Sequence, residues 1–454
     1  MSKLINRFAA APTLGSLNPP YTPPSARELL FYLFGALLVL FSRAPRLLLE
    51  GRIVAEEGTT YLLYAWNSTP LRAFLAPHQG YFSLMDNGVA FIAARLLPLS
   101  VAALLFVWSA ALVQLLLLYL VVQCEWLRTP RERWTALLAL LLVTPSYEIW
   151  LNVENSQSLL PICAAVILIS SLDRLFLVKI FTLVLAGFTG PTTIPLTPLF
   201  WLRAWKRRSR RSLAQAIAVT LPFCVECYLI FRSIVTGDRI VQHEWRGMVA
   251  YISSRVIVLP FGTGRGGHNF DIFLFHHPGR SWELLTSLFL LVVFCTAFAV
   301  FLVSSRASLL LLIAALLSSV FSWYGCDPCS FQLLVSSSGG QGRYFYAANA
   351  MIFLAAVIAM YRAPRRSLAR LSSAAVAVLF ITGIVHYVRL APKLEKYPAW
   401  LPQERRWEGD EHQPILLAPE FWRIYPLHLH HQHPNRVDLP FNAYDSNNST
   451  RLQE

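Results

Sequence analysis

Residues 100–123, SVAALLFVWSAALVQLLLLYLVVQ, form an apolar run that contains no charged side chain. A helix needs about 20 apolar residues to cross the hydrocarbon core of a bilayer, and this run has that length. It is therefore predicted to be a membrane-spanning helix. Similar runs recur on both sides of it, so the fold class that we predict is an all-α polytopic membrane protein.

The composition supports this class. Of the 454 residues, 55% are hydrophobic and 14% are charged, whereas soluble domains carry about 25% charged residues. The apolar runs predict about eleven spans. These spans are predicted at residues 29–45, 100–123, 134–149, 158–173, 175–190, 192–204, 213–233, 283–303, 307–323, 345–361 and 371–389.

The net charge of +14 is concentrated in short loops between the predicted spans. The main clusters are Arg128–Arg133, Arg203–Arg211 and Arg362–Arg370. Cytoplasmic loops of membrane proteins are enriched in Lys and Arg, so these clusters predict the orientation of the chain. None of them belongs to a recognisable nucleic-acid-binding module, which argues against nucleic acid as a partner.

This orientation divides the chain into three parts. Residues 1–28 are predicted to be a cytoplasmic N-terminal segment without a cleavable signal peptide. Residues 29–389 form the transmembrane domain, with a first outer loop at 46–99. Within that loop, 82–98 is predicted to be a juxtamembrane or re-entrant helix that does not cross. Residues 390–454 form an extracytoplasmic C-terminal tail.

Two carboxylates, Glu56 and Glu57, follow the first predicted span within residues 51–61. Ionisable groups at the membrane edge are costly unless they are solvated or paired, so they are candidates for function. The alternative is a solvated pair of loop residues. In an extended loop, neighbouring side chains point in opposite directions, so we expect only one of the two to face a substrate.

The other predicted outer segments also carry polar side chains. They offer carboxylates, amide donors, glycine-rich backbone and an arginine, a combination that suits an amphiphilic substrate with a polar head and a lipid tail. The residues of interest in these segments are His78, Gly80 and Tyr81; Glu148, Asn152, Glu154, Asn155 and Gln157; Thr189, Gly190 and Pro191; Arg265 and His268; and Arg343 and Tyr344.

The order and sidedness of these segments resemble the GT-C superfamily of polytopic membrane glycosyltransferases, which includes the protein mannosyltransferases and the lipid A aminoarabinose transferases. In that superfamily an acid just after the first span is the catalytic signature, and Glu56-Glu57 holds that place. A set of bacterial members is more similar still. The shared motifs here are Glu56-Glu57-Gly58, Gly80-Tyr81, Asn152 to Gln157, Thr189-Gly190-Pro191, Arg343-Tyr344-Phe345 and the tail segment Pro414 to Trp422.

The resemblance covers about residues 28–422 and implies a reaction. The donor would be a sugar on a polyprenyl phosphate, and the acceptor a cell-envelope glycan or lipid at the outer face of the plasma (inner) membrane. Glu56 or Glu57 would be the general base, with Glu56 favoured by its place in the superfamily pair. Many relatives have Asp where this chain has Glu-Glu, which leaves open which acid is catalytic.

Further roles follow from the same resemblance. Arg343 is the first candidate for the donor phosphate, because a guanidinium matches phosphate oxygens; Arg265 and His268 are second choices. The alternative for Arg343 is a cation at a helix end.

The remaining polar residues are weaker candidates. The substrate-binding set also includes His78, Tyr81, Asn152, Asn155, Gln157 and Tyr344. For Tyr81 the alternative is an interfacial anchor, and for the amide side chains it is helix capping. Glu148 and Glu154 are further candidate acids.

Metal and thiol chemistry stays open at this stage. Adjacent carboxylates could suit Mg²⁺ or Mn²⁺, but these ions want more ligands than the sequence assigns. Cys326 and Cys329 could form a disulfide or stay as free thiols. Four histidines of the tail match no zinc motif and read as a solvated segment; they are His428, His430, His431 and His433.

Three other functions compete with the transferase hypothesis. A transporter or flippase of lipid-linked sugars is the main alternative, although we see no internal repeat of the kind that many transporters show. A polymerase or ligase of O-antigen would also have many spans, but it normally lacks an early acid pair. A non-enzymatic membrane scaffold is the fourth hypothesis.

Overall fold

A computed structural model describes residues 21–78, 80–144, 146–171, 174–236, 248–249, 252–262, 288, 292, 305–325, 342–394, 396–410, 413–418 and 423–424. Within these residues the chain is mostly helical, and its strands form two short antiparallel hairpins. The predicted all-α class is therefore confirmed.

The helices are α1 (Ala26–Arg43), α2 (Pro45–Glu50), α3 (Leu63–Asn67), α4 (Pro70–Leu75), α5 (Leu84–Arg95), α6 (Ala102–Val122), α7 (Pro130–Leu141), α8 (Ser156–Ile169), α9 (Phe176–Gly187), α10 (Thr197–Arg207), α11 (Arg210–Val235), α12 (Leu259–Phe261), α13 (Arg306–Gly325), α14 (Arg343–Arg362), α15 (Arg366–Leu394) and α16 (Trp400–Gly409). Two π-helices (Glu57–Leu62 and Ser253–Val258) and two 3₁₀-helices (Leu99–Val101 and Pro191–Leu196) accompany them. The strands are β1 (Pro77–His78), β2 (Tyr81–Phe82), β3 (Ile415–Leu416) and β4 (Arg423–Ile424).

Several helices begin at capping signals that are visible in the sequence. The Ser25 hydroxyl accepts the backbone N–H of Glu28, and the Glu28 carboxylate accepts the N–H of Ser25, which is a capping box at the start of α1. Thr129 accepts the N–H of Glu132 in the same way, ahead of Pro130 at the start of α7. These side chains satisfy N–H groups that the helix itself leaves without partners.

Five described helical segments are long and apolar enough to cross a membrane. They are Leu99–Val122, Arg210–Val235, Arg306–Gly325, Arg343–Arg362 and Arg366–Arg389, and they match the predicted spans at 100–123, 213–233, 307–323, 345–361 and 371–389. The chain is therefore a membrane protein in which these five helices are the candidate spans. The predicted span at 283–303 lies outside the described residues, apart from 288 and 292.

Four other predicted spans are shorter helices than the apolar runs suggested. The helices α7, α8, α9 and α10 have 12, 14, 12 and 11 residues, and a simple crossing needs about 20. Between α9 and α10 the chain forms a 3₁₀ turn over Pro191–Leu196, after Gly190 at φ +87°. Proline and a left-handed glycine end α9 there, so hydropathy alone overestimated the length of this helix.

The helices α8 and α14 lie at the centre of the described structure. Nearly all side chains of α8 and most of those of α14 are buried, and the two helices contact each other. The Ser158 hydroxyl near the start of α8 donates to the backbone carbonyl of Arg343, the first residue of α14, at 3.1 Å. The N-terminal ends of the two central helices therefore meet at one place.

The C-terminal tail packs onto the first outer loop. Ile415 and Leu417 are buried in a cluster with Ile53 and other residues of that loop. The backbone N–H of Ala55 donates to Ala418 at 2.8 Å, and the N–H of Ala418 donates to Ile53 at 3.0 Å. This pairing places the tail and the acid-bearing loop on the same side and ties the backbone beside Glu56 to the tail. The predicted juxtamembrane segment 82–98 contains α5, a helix of only 12 residues that packs on the same loop.

Candidate functional site

The two carboxylates of the first outer loop lie at the start of a π-helix rather than in an extended segment, which corrects the sequence prediction. Glu56 has helical dihedrals, and the π-helix runs over Glu57–Leu62. Ala55, just before it, has φ +28°, a value that is strained for a residue with a Cβ. Both π-helical turns and strained residues are frequent at functional sites.

Glu57 is buried and holds two loops together. Its Oε2 accepts the N–H of Val54 at 2.8 Å, and its Oε1 accepts the N–H of Val153 at 2.6 Å. Burial raises the pKa of Glu57 to about 8, although both hydrogen bonds act in the opposite direction. With both oxygens engaged by backbone groups, this side chain links the first outer loop to the segment before α8.

Glu56 has a different environment. Its side chain is half-buried, and no hydrogen bond to it is found within the described residues. Its charge acts on both Glu154 and Arg343. The two neighbouring acids therefore differ in burial: Glu57 lies in the protein interior, whereas Glu56 is half-buried.

The segment before α8 contributes an ion pair. Nη1 of Arg343 lies 3.0 Å from Oε1 of Glu154, and the backbone N–H of Arg343 donates to Glu148 at 3.3 Å. Leu151, in the same segment, has φ +52°, a second strained position beside the site. The structure therefore brings Arg343 together with Glu148 and Glu154, the weaker acid candidates of the sequence.

The asparagines of this segment shape its backbone. Asn152 and Asn155 are both buried. The Asn152 Oδ1 accepts the N–H of Asn155 at 3.3 Å, and the Asn155 Nδ2 donates to the Glu148 carbonyl at 2.9 Å. Asn155 is the residue that precedes α8, but its side chain does not cap the helix. These contacts show how the turn that carries Glu154 is held.

A cluster of aromatic side chains lies near the acids Asp86 and Glu154. Tyr81 is buried and accepts a hydrogen bond from Gln157 Nε2 at 3.4 Å. The His78 ring lies edge-on to Tyr61 and Tyr64, with centroid distances of 4.9 and 5.0 Å. Burial lowers the pKa of His78 to about 4, so the imidazole is neutral at physiological pH. Gly190 contacts Gln157, since a Cβ on Gly190 would lie 2.6 Å from Oε1 of Gln157.

Tyr344 follows Arg343 in α14, and the Arg343 guanidinium carbon lies 5.4 Å from the centroid of its ring. The other predicted substrate-binding residues, Arg265 and His268, lie outside the described residues, as do Cys326 and Cys329. The tail histidines at 428–433 also fall outside them.

The structure adds two acids that sequence reasoning missed. Asp86, in the first turn of α5, is buried and accepts a hydrogen bond from the Ser83 hydroxyl. Burial raises its pKa to about 7. Glu226 lies inside the apolar helix α11, is fully buried, and accepts the N–H of Phe82 at 3.2 Å. In both cases the sequence shows an acid within an apolar stretch. Such acids are rare without a function, so this pattern could have identified both residues as candidates.

The donor set does not fit a protein-held metal ion. Among the described residues, no three His, Cys, Asp or Glu side chains lie close enough together to hold one. Both oxygens of Glu57 accept backbone N–H groups, and Glu154 forms an ion pair with Arg343. The described residues therefore provide no ligand set for the divalent cation considered from the sequence.

Comparisons of this chain with protein-family models, with curated proteins and with solved structures found no match.

Proposed function

We propose that this protein is a membrane glycosyltransferase similar to the GT-C enzymes. It transfers a sugar from a polyprenyl-phosphate donor to a cell-envelope glycan or lipid acceptor at the outer face of the plasma membrane. The observation that carries the proposal is the ion pair of Arg343 with Glu154 where α8 and α14 begin, together with the charge of Glu56, which acts on both groups. A base and a phosphate-binding cation then lie at one site.

Geometry favours Glu56 over Glu57 as the general base. A base must lie within hydrogen-bond reach of the proton that it removes, and geometry is decided before pKa. Glu57 is 1% exposed and both of its oxygens accept backbone N–H groups. Glu56 is half-buried and accepts no such bond from the described residues. We therefore assign the base to Glu56 and a positioning role to Glu57.

The surroundings of Arg343 suit a phosphate. A quarter of its side chain is exposed, whereas the side chain of its partner Glu154 is buried. Arg343 is also the first residue of a 20-residue helix, and α8 begins beside it. Helix N-termini carry partial positive charge and favour anions. The N-terminal ends of both helices meet at the Arg343 backbone, which supports Arg343 as the residue that holds the donor phosphate.

The reaction on this site is a direct displacement. The acceptor hydroxyl oxygen forms a bond to the anomeric carbon, and its proton passes to Glu56. The bond between the anomeric carbon and the phosphate oxygen breaks, and the electron pair leaves with the polyprenyl phosphate. Arg343 stabilises the charge that develops on this leaving group. Glu56 is half-buried and accepts no hydrogen bond from the described residues, so its carboxylate is available as the base.

The test is transfer of radiolabelled sugar from a panel of polyprenyl-phosphate donors in membranes that contain the full chain. We expect Glu56→Gln to lower the rate by roughly 10²–10⁴-fold without loss of thermal stability, because only the proton acceptor is removed. Glu50→Gln is the matched control, since Glu50 is an exposed acid of the same predicted loop and pairs with Arg46. Transfer by Glu56→Gln at the wild-type rate would refute the assignment.

A transporter of lipid-linked sugars is the second candidate, and Glu226 is the observation that favours it. A buried carboxylate in an apolar helix is typical of proton-coupled pathways. A transporter should ignore Glu56→Gln and lose movement of labelled lipid between leaflets with Glu226→Gln. A transferase should lose sugar transfer with Glu56→Gln and still bind the lipid donor.

A further inference from the structure

The ion pair between Arg343 and Glu154 uses only half of the carboxylate. Oε1 of Glu154 lies 3.0 Å from the guanidinium, but Oε2 has no hydrogen-bond partner among the described residues. Glu154 is only 3% exposed, so this oxygen is also shielded from water. An ionised carboxylate in that position is held charged mainly by Arg343, because a buried charge without a partner is strongly unfavourable.

The charged groups around Glu154 make this dependence stronger. Arg343 faces it from α14, Glu56 and Glu57 face it from the first outer loop, and Asp86 faces it from α5. The phenol groups of Tyr61 and Tyr81 also lie near it. Burial raises the pKa of Glu154, Arg343 opposes that rise, and the three carboxylates add to it. Removal of the arginine would thus favour the protonated acid.

The two members of the pair differ in their access to a ligand. The Arg343 side chain is 25% exposed, whereas that of Glu154 is 4% exposed. An incoming anion therefore meets the arginine side chain before the more deeply buried carboxylate. The helix N-termini that meet here favour an anion. Displacement of Glu154 would leave its carboxylate buried without a cation, which is unfavourable unless the carboxylate becomes protonated.

We propose that a phosphate group binds Arg343 by displacing Glu154, and that Glu154 takes up one proton as it is displaced. This inference rests on the proposed function, since it uses the donor phosphate as the displacing anion. One anion and one proton bind together, so the net charge of the site is unchanged. The proton comes from solvent and returns there when the phosphate leaves and the Arg343–Glu154 pair forms again.

Proton uptake on binding fixes the direction of the pH dependence. The anion binds more tightly at low pH, and its affinity falls as the pH rises, by up to tenfold per pH unit for one proton. Without Glu154 this dependence should vanish. The same change should also tighten binding, because the carboxylate no longer competes for the guanidinium.

The experiment is calorimetric binding of a short-chain prenyl methyl phosphodiester to the purified full chain. This probe carries one charge that does not titrate near neutral pH. Titrations in two buffers of different ionisation enthalpy report the number of protons taken up. We expect uptake approaching one proton in the wild type and none in Glu154→Gln. The matched control is Glu50→Gln, which neutralises an exposed acid that pairs with Arg46 outside the site and should keep the uptake.

The outcomes separate this inference from the proposed function. Binding by the wild type without proton uptake, or equal uptake by Glu154→Gln, overturns the exchange and leaves Arg343 as a phosphate ligand. No binding by the wild type overturns both. Thermal unfolding checks that Glu154→Gln is folded, and if it is not, the two-buffer comparison on the wild type decides alone.

Discussion

The two ends of α14 carry the same kind of pair in opposite electrostatic settings. Arg343 is the first residue of the helix and pairs with Glu154, whereas Arg362 is the last residue and pairs with Glu132. A cation is favourable at a helix C-terminus and unfavourable at an N-terminus. The fold alone explains Arg362, but Arg343 stands against the helix dipole, which is expected where a site has to bind a passing anion.

The acids of the two pairs differ in the same way. Glu132 lies in the first turn of α7, and its Oε2 accepts both the N–H of Arg128 at 2.6 Å and the Arg362 guanidinium. Glu154 has one oxygen without a partner among the described residues and lies among other carboxylates. The Arg362–Glu132 pair is therefore fully engaged by its surroundings, whereas the Arg343–Glu154 pair is the one in which we propose an exchange of partners.

The largest expected contrast is between the two arginines. Arg362→Ala should lower the free energy of unfolding by about 3–5 kcal/mol, because it leaves a buried carboxylate without its cation. Arg343→Ala should instead lower sugar transfer by roughly 10²–10³-fold, as for loss of a group that stabilises charge in a transition state. Denaturation in detergent and the transfer assay measure the two effects. Equal destabilisation by both variants would show that the Arg343–Glu154 pair is structural, like the Arg362–Glu132 pair.

A smaller contrast is expected between the two acids. Glu132→Gln should destabilise the fold by about 1.5–3 kcal/mol, because two donors lose a charged acceptor. Glu154→Gln should change stability by less than about 1 kcal/mol, since it removes a buried charge from a group of carboxylates and leaves Arg343 partly solvated. Thermal unfolding of both variants at one pH provides the measurement. A greater loss in Glu154→Gln than in Glu132→Gln would show that the outer pair is structural as well.

The sequence predicted the parts of the site that interrupt an apolar pattern. Glu56, Glu57 and Arg343 could be found because they lie between long apolar runs, where a charged side chain is conspicuous. The backbone conformation that orients Glu56 and Glu57 could not be predicted from the sequence. An extended loop was expected, and a π-helix after a strained Ala55 places Glu57 in the protein interior instead.

The missed residues depend on packing that hydropathy does not report. Asp86 and Glu226 each lie within a helical apolar pattern, so their burial becomes visible only when α5 and α11 are packed beside the hairpin at Tyr81–Phe82. The lengths of α9 and α10 were overestimated for a related reason. Apolar composition continues through the Gly190–Pro191 turn, while the helical backbone does not.

Burial of Asp86 favours its protonated form, so the stability of the protein should depend on pH. Asp86 is 1% exposed, and burial raises its pKa to about 7, above that of an unfolded aspartate near 3.8. Between these values the folded state binds a proton that the unfolded state has released. The contribution of Asp86 to stability is therefore present at low pH and is lost as the pH rises through about 7.

Each buried carboxyl with a raised pKa contributes a slope that approaches ~1.4 kcal/mol per pH unit within its window, so Asp86→Asn should remove one such contribution and leave that of Glu57. Unfolding in detergent at a series of pH values measures the slope. Ser83→Ala provides an independent check, because the Ser83 hydroxyl donates to the ionised carboxylate and its removal should extend the loss to higher pH. An Asp86→Asn protein whose stability changes with pH as steeply as the wild type would move the titrating group elsewhere in the cluster, with Glu57 next, since burial raises the pKa of Glu57 to about 8.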